Sequence, residues 1–241
     1  SAASDVYKRQ QEKNIFQEWV DVNDVWISSP SSNAGYFGGG NNTALGNLTT
    51  MDKMSYSSDT ATAVPSAGLT GTRYLASATS SSSAGYFGGG GPGPVSIMDR
   101  IFYSSDTTSQ VPGAQLTIAR YGAAATGTVT GGYFAGGFAS PNNYSTVDKI
   151  SYSSDTTLAL PSIGVLISSR KGLAASGNNT AGYFGGGIGP GSPGYYSTID
   201  KVTYASDTIL AVPASPLSAA RVYLAATGNS SVGYFLSLIH I

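Results

Sequence analysis

The chain has 241 residues, 41% of them apolar and only 10% charged, with 12 Lys and Arg against 13 Asp and Glu, 32 Gly, one His and no Cys. So low a charge density and a formal net charge of −1 exclude a disordered polyelectrolyte and a surface with a general attraction for nucleic acid. The lack of Cys removes disulfides and thiolate metal sites. No apolar run approaches the ~18 residues of a transmembrane helix, so a Gly-, Ser- and Thr-rich all-β protein without membrane insertion is predicted.

From the N terminus, the first segment does not read as a designed part of a fold. The codons GAT GTG TAT AAG AGA CAG encode DVYKRQ, Asp5 to Gln10, and their reverse complement encodes LSLIHI, Leu236 to Ile241. Both ends therefore resemble one translated transposase adapter of the kind used in sequencing libraries, whose longer form also supplies Ser1 to Ser4. Residues 1–10 and 236–241 are accordingly expected to be adapter-derived tails around a fragment. Setting them aside removes His240, the only histidine. Without His or Cys, the Ser-His-Asp and Cys-His nucleophile systems and ordinary zinc, copper and haem sites are excluded, and neither a metal nor a cofactor is predicted. Residues 11–24, with Glu12, Glu18 and Trp19, follow no repeat and are read as a lead-in.

Residues 25–235 form a tandem repeat. The triplet GYF begins at Gly35, Gly85, Gly132, Gly182 and Gly233, with spacings of 50, 47, 50 and 51 residues. Between these copies lie MDKMSYSSDT from Met51, MDRIFYSSDT from Met98, VDKISYSSDT from Val147 and IDKVTYASDT from Ile199. Each is followed by a proline, at Pro65, Pro112, Pro161 and Pro213, and then by an arginine, at Arg73, Arg120, Arg170 and Arg221. The arginine always stands 12 residues ahead of the next GYF glycine.

In the second unit the pattern predicts four strands in chain order: Arg73 to Thr79, Ala84 to Gly88, Ile97 to Tyr103 and Thr107 to Val111. The third alternates, with Asp99, Ile101 and Tyr103 on one face and Met98, Arg100 and Phe102 on the other, so both faces should be covered. The SSDT string suits a tight turn closed by Ser and Asp side chains on nearby amides, and the closing proline suits an edge strand. First strands rich in small residues, as in Gly122 to Thr126, fit an innermost position, and the glycines after GYF allow close backbone approach. Four-stranded antiparallel units of about 47–52 residues that bury both sheet faces read as blades of a β-propeller.

The YFGGG glycines after an aromatic strand, the later tyrosines (Tyr56, Tyr103, Tyr152, Tyr204) and the leading arginines resemble kelch-type propeller repeats over residues 25–235. The tryptophan that family places a few residues after the tyrosine is missing. The GYFGGG and YSSDT strings also resemble repeats of phage virion and tail-fibre-like proteins. The resemblance implies a partial, incomplete propeller of four to five blades serving as a non-enzymatic interaction module, adhesive or receptor-binding, extracellular or virion-associated. The alternative is a fragment of a secreted, sialidase-like carbohydrate-active propeller enzyme whose catalytic blade lies elsewhere.

Charge placement bears on this choice. Between Ile27 and Phe235 every charged residue except Lys171 falls on a repeated position, namely Asp52, Asp99, Asp148 and Asp200, their basic neighbours, the SSDT aspartates and the four arginines. A catalytic site needs a unique acid and base in different environments, so these positions are read as scaffold. Length varies instead between the second and third strands, in loops holding Phe138, Asn142, Asn143 and Tyr144 in one unit and Tyr195 and Tyr196 in another. These six are the candidate binding residues, suited to stacking on a carbohydrate or covering a protein surface.

Overall fold

A computed structural model describes residues 25–28, 34–42, 44–191 and 194–237. The expected tail 1–10, the lead-in 11–24 and residues 238–241 lie outside them. The fold is all-β. The first sheet contains β1 (Val25–Ser28) and β2 (Ala34–Gly38), a small ribbon of β3 (Asn41–Asn42) and β4 (Gly46–Asn47) branching off before β5 (Met51–Ser55) and β6 (Thr60–Ala63). The second comprises β7 (Ser77–Ser80), β8 (Ala84–Gly88), β9 (Met98–Phe102) and β10 (Thr107–Gln110). The third has β11 (Ala124–Gly127) and β12 (Gly131–Ala135), a ribbon of β13 (Phe138–Ala139) and β14 (Asn142–Asn143), then β15 (Val147–Ser151) and β16 (Thr156–Ala159). The fourth holds β17 (Ala174–Gly177), β18 (Ala181–Gly185), β19 (Ile199–Thr203) and β20 (Thr208–Ala211), and β21 (Leu224–Gly228) pairs with β22 (Gly233–Ser237). In each four-stranded sheet the strands follow chain order and every neighbour is antiparallel.

One register recurs. The GYF tyrosine faces a base and the phenylalanine faces an aspartate, as in Tyr86 with Arg100 and Phe87 with Asp99, and again in Phe134 with Asp148 and Phe184 with Asp200. Successive side chains of a strand point to opposite faces, so this register sends the phenylalanine one way and the tyrosine the other. Each hydrophobic core lies between two consecutive sheets: Tyr36 and Met51 of the first pack with Ala78, Phe87 and Ile101 of the second, and Tyr86 and Met98 with Ala125, Phe134 and Ile150. Phe87, Phe134 and Phe184 are completely buried. The glycine directly after GYF lets the next phenylalanine in, since a Cβ on Gly88 would stand 2.9 Å from the Phe134 ring. The small-residue first strands β7, β11, β17 and β21 meet one another in sequence order, as that composition predicts.

Three details differ from the sequence expectation. The first strand of the second unit starts at Ser77 rather than Arg73, because Leu75 takes a φ of 52°, as Gly122 (65°), Gly172 (63°) and Tyr223 (54°) do at the same place. That left-handed conformation breaks extended backbone but lets one repeat bond to the next: Gly122 N–H donates to Leu75 O (2.9 Å), Gly172 N–H to Gly122 O (2.8 Å) and Tyr223 N–H to Gly172 O (2.7 Å). Pro65 and Pro112 do not sit in an edge strand but open short 3-10 turns just beyond it, where a missing N–H costs nothing. In the SSDT turns the aspartates adopt φ of 51–53°, and Asp106, Asp155 and Asp207 reach the preceding sheet, while Ser and Thr hydroxyls, such as Ser105 and Thr107 at 2.7 Å, bond each other.

The leading arginine is the pivot of each unit. Arg73 pairs with Asp99, Arg120 with Asp148 at 2.9 Å and Arg170 with Asp200 at 3.0 Å, all almost wholly buried. Burial pulls all three guanidinium groups below their usual range, against the opposing pull of the aspartate charge. The same residue's carbonyl accepts the N–H of a glycine in the preceding unit, at 2.8 Å from Gly40 to Arg73 and 2.9 Å from Gly90 to Arg120. The first glycine of that pair tolerates no side chain, because a Cβ on Gly39 or Gly89 would lie 2.5 Å from the same carbonyl and the φ is positive.

A threonine completes the carboxylate in two of these sites: Thr70 Oγ1 and Thr117 Oγ1 donate to Asp99 and Asp148 at 2.6 Å. The third has Ile167, whose N–H alone reaches Asp200 at 3.2 Å, and Asp200 Oδ1 has no hydrogen-bond partner among the described residues. Ile167 is 60% exposed, so little apolar burial is lost by changing it. Ile167→Thr should raise stability by about 1 kcal/mol by satisfying that oxygen. Asp99→Ala, which strands a buried guanidinium, should cost about 3–5 kcal/mol. Urea denaturation followed by tryptophan or far-ultraviolet signals measures both.

Candidate functional site

Strand direction divides each unit into two ends. The loops between second and third strands, the arginine segments and the connectors lie at one end, and the SSDT turns and first hairpin turns lie at the other. The six candidate residues are all at the loop end.

There the structure separates them into two groups. Phe138 is half-buried and its backbone pairs with Tyr121, by N–H to O bonds of 2.9 and 3.1 Å in the two directions. The Tyr121 and Phe138 rings meet edge to face at 5.5 Å, and Lys171 Nζ sits 3.9 Å from the Phe138 centroid and 5.7 Å from that of Tyr121. Burial, followed by the charges of Tyr74 and Tyr223, raises the Tyr121 phenol. Lys171 is bridged to Ile188 and Ile188 to Tyr195, which is 50% exposed. Phe138 and Tyr195 thus border one half-open aromatic surface carrying a cation. Among the described residues Lys171 has no salt-bridge partner.

Tyr196 and Tyr144 do something else. The Arg170 guanidinium lies over the Tyr196 ring at 5.8 Å, and a Cβ on Gly189 would touch that ring, so Tyr196 lids the buried ion pair. Tyr144 is half-buried, close enough to Arg120 to bear on its charge, and its carbonyl holds the Arg170 N–H at 3.1 Å. Asn142 is exposed, while Asn143 is half-buried with Oδ1 unpartnered among the described residues. Sequence reasoning singled out neither Tyr121 nor Lys171 as binding residues. The available signal was that Lys171 alone breaks the charge register.

At the turn end, polar side chains couple one sheet to the next. Asp106 of the second unit accepts from Tyr36 OH at 2.5 Å and Lys53 Nζ at 2.7 Å of the first. Asp155 accepts from Tyr86 OH at 2.9 Å and from Arg100, and Asp207 from Tyr133 OH at 2.6 Å and Lys149 Nζ at 2.8 Å. Tyrosine rings stack beside each carboxylate, Tyr36 on Tyr103, Tyr86 on Tyr152 and Tyr133 on Tyr204, at 5.3, 4.7 and 5.1 Å. Between the third and fourth sheets this end opens as a groove of about 900 Å³ lined by Val129, Thr130, Tyr133, Lys149 and Tyr204. Its one charged lining residue, Lys149, pairs with Asp207, as the equivalent base pairs with the SSDT aspartate in the two preceding interfaces. Among the described residues no group of three or more metal-ligating side chains occurs.

No family model matches this chain, and no curated protein matches it.

The turn-end network makes stability depend on pH at both extremes. Burial and the Asp106 hydrogen bond push Tyr36 up to about 12, and burial likewise lifts Tyr86 to about 12 despite the opposing Arg100. The Asp106 hydrogen bond raises Lys53. Folded groups with raised values hold their protons more tightly than unfolded ones, so this stability is complete below pH ~10 and is lost as pH climbs toward ~12. Burial would lift Asp106, but hydrogen bonds from Lys53 and Tyr36 outweigh it and depress its value, so its contribution disappears as pH falls below ~4. Urea titrations across pH should show both declines, and Tyr86→Phe should flatten the alkaline one.

Proposed function

We propose that the chain is part of a kelch-like β-propeller and acts as a non-catalytic interaction module, extracellular or virion-associated, whose loop end binds a surface ligand. Three features support the propeller: one register in every four-stranded sheet, cores shared between consecutive sheets, and small first strands that meet in sequence order. Repetition argues against catalysis. The buried carboxylates Asp99, Asp148 and Asp200 each sit on an arginine, and Asp106, Asp155 and Asp207 each hold a tyrosine and a base of the preceding unit. Acid–base chemistry needs two groups pushed to different values in one place, and a motif repeated in every unit serves the scaffold better.

The observation carrying the binding reading is Lys171. It stands outside the register, on the half-exposed Phe138 and Tyr121 rings, beside exposed Tyr195. Aromatic faces stack on the C–H faces of a sugar and a fixed ammonium pairs with a carboxylate, so the chemistry favours an acidic carbohydrate. Retention of uronic-acid-bearing oligosaccharides over neutral ones on immobilised protein tests this. Lys171→Met should reduce retention at least ~10-fold, the loss of a charge-assisted hydrogen bond, with an unchanged melting temperature. Equal retention of both sugar classes, or none by the parent protein, refutes the reading.

A further inference from the structure

The turn-end groove between the third and fourth sheets owes its shape to two positions that differ between units. The first directly precedes the YSSDT tyrosine, and is Phe102 in the second unit and Ser151 in the third. Two residues apart on one strand, Phe102 shares a face with Arg100, and Ser151 with Lys149, the base that reaches into the following unit. Phe102 is half-buried, with the Arg100 guanidinium 4.3 Å from its ring centroid. Ser151 has no such ring, and it lines the groove of about 900 Å³.

The second position lies in the turn of the first hairpin, three residues before the GYF glycine. It is Ser82 in the second unit, Val129 in the third and Asn179 in the fourth. The turn therefore accepts a polar residue, yet the third unit presents Val129 to the groove, 46% exposed.

Around Val129 the hydroxyls stand in pairs. Thr128 Oγ1 and Thr130 Oγ1 are 2.9 Å apart, and Ser151 Oγ and Ser153 Oγ are 3.2 Å apart. In such a pair one hydroxyl gives its proton to the other, which keeps its own O–H free to donate, and both oxygens retain lone pairs. Lys149 Nζ holds both oxygens of Asp207 at 2.8 Å, so the cation at the groove is already compensated.

We propose that this groove binds a neutral oligosaccharide. A hydrocarbon ligand would cover the hydroxyls without bonding them, and an acidic one would meet no uncompensated cation. A neutral sugar answers each feature: its hydroxyls bond the Thr and Ser pairs, and a C–H face covers Val129. The volume falls within the range of small-ligand sites. The groove lies at the end of the sheets opposite Lys171, and the proposal does not rest on the loop-end reading.

The probes are fluorescently labelled neutral hexasaccharides of glucose, mannose and galactose, titrated into the full chain by fluorescence anisotropy. Saturable binding of at least one is expected, insensitive to salt because no net charge is paired. Ser151→Phe installs the side chain that the second unit already carries at this place, and should weaken binding at least ~10-fold by filling the groove. Val129→Asn, the fourth unit's residue, should also weaken it, with the melting temperature unchanged. Lys171→Met should leave it intact, although that change removes retention of acidic sugars at the loop end. Absence of binding by all three hexasaccharides overturns the proposal, as does equal binding by Ser151→Phe. Loss of neutral-sugar binding in Lys171→Met overturns it too, because the sugar then sits at the loop end.

Discussion

The structure turns on a buried arginine that is held twice. Its guanidinium is held by an aspartate on the third strand of its own sheet, and its carbonyl is held by a glycine N–H from the preceding unit. The first bond fixes where the sheet begins and the second fixes how far it stands from its neighbour. A buried ion pair adds little net stability over an apolar substitute, but removing one partner is expensive, so the pair enforces one geometry rather than strengthening the core. The diglycine follows from it: with the carbonyl only 2.5 Å from where a Cβ would sit on Gly39 or Gly89, no larger residue fits.

A second layer of coupling is built on that spacing. Because sheets approach closely enough for Phe134 to enter the space over Gly88, the tyrosine on that same face, Tyr86, can reach the next unit's turn and meet its aspartate. The left-handed φ of those aspartates aims the carboxylate across the interface and not back along its own turn. Core burial, charge pairing and ring stacking therefore act between units as much as within them. An array of this kind is stabilised by neighbour contacts.

Function, in the proposed reading, resides where the repetition fails. Lys171 breaks the charge register at the loop end and has no salt-bridge partner among the described residues. Its chemistry suits a carboxylate presented on a sugar.

Much of this was legible in the chain itself. The period of the GYF triplet, the seven-residue spacing of the aspartates and the alternation around Ile101 specify four short antiparallel strands per unit, because strand periodicity and turn chemistry are local properties. They also mark Asp99, Asp148, Asp200 and the arginines as repeated scaffold. Pairing partners were not legible: that Asp106 belongs to Tyr36 and Lys53 and that Lys171 rests on Phe138 are contacts between different units, and that Tyr196 covers Arg170 depends on how a long loop folds back. Only the stacking of sheets settles them, since the turn backbone that directs Asp106 outward and the positive φ at Leu75 are stabilised by the neighbouring repeat. The sequence by itself determined the strands, their order and which positions repeat; the tertiary structure decided which faces meet, and hence which charges are left over.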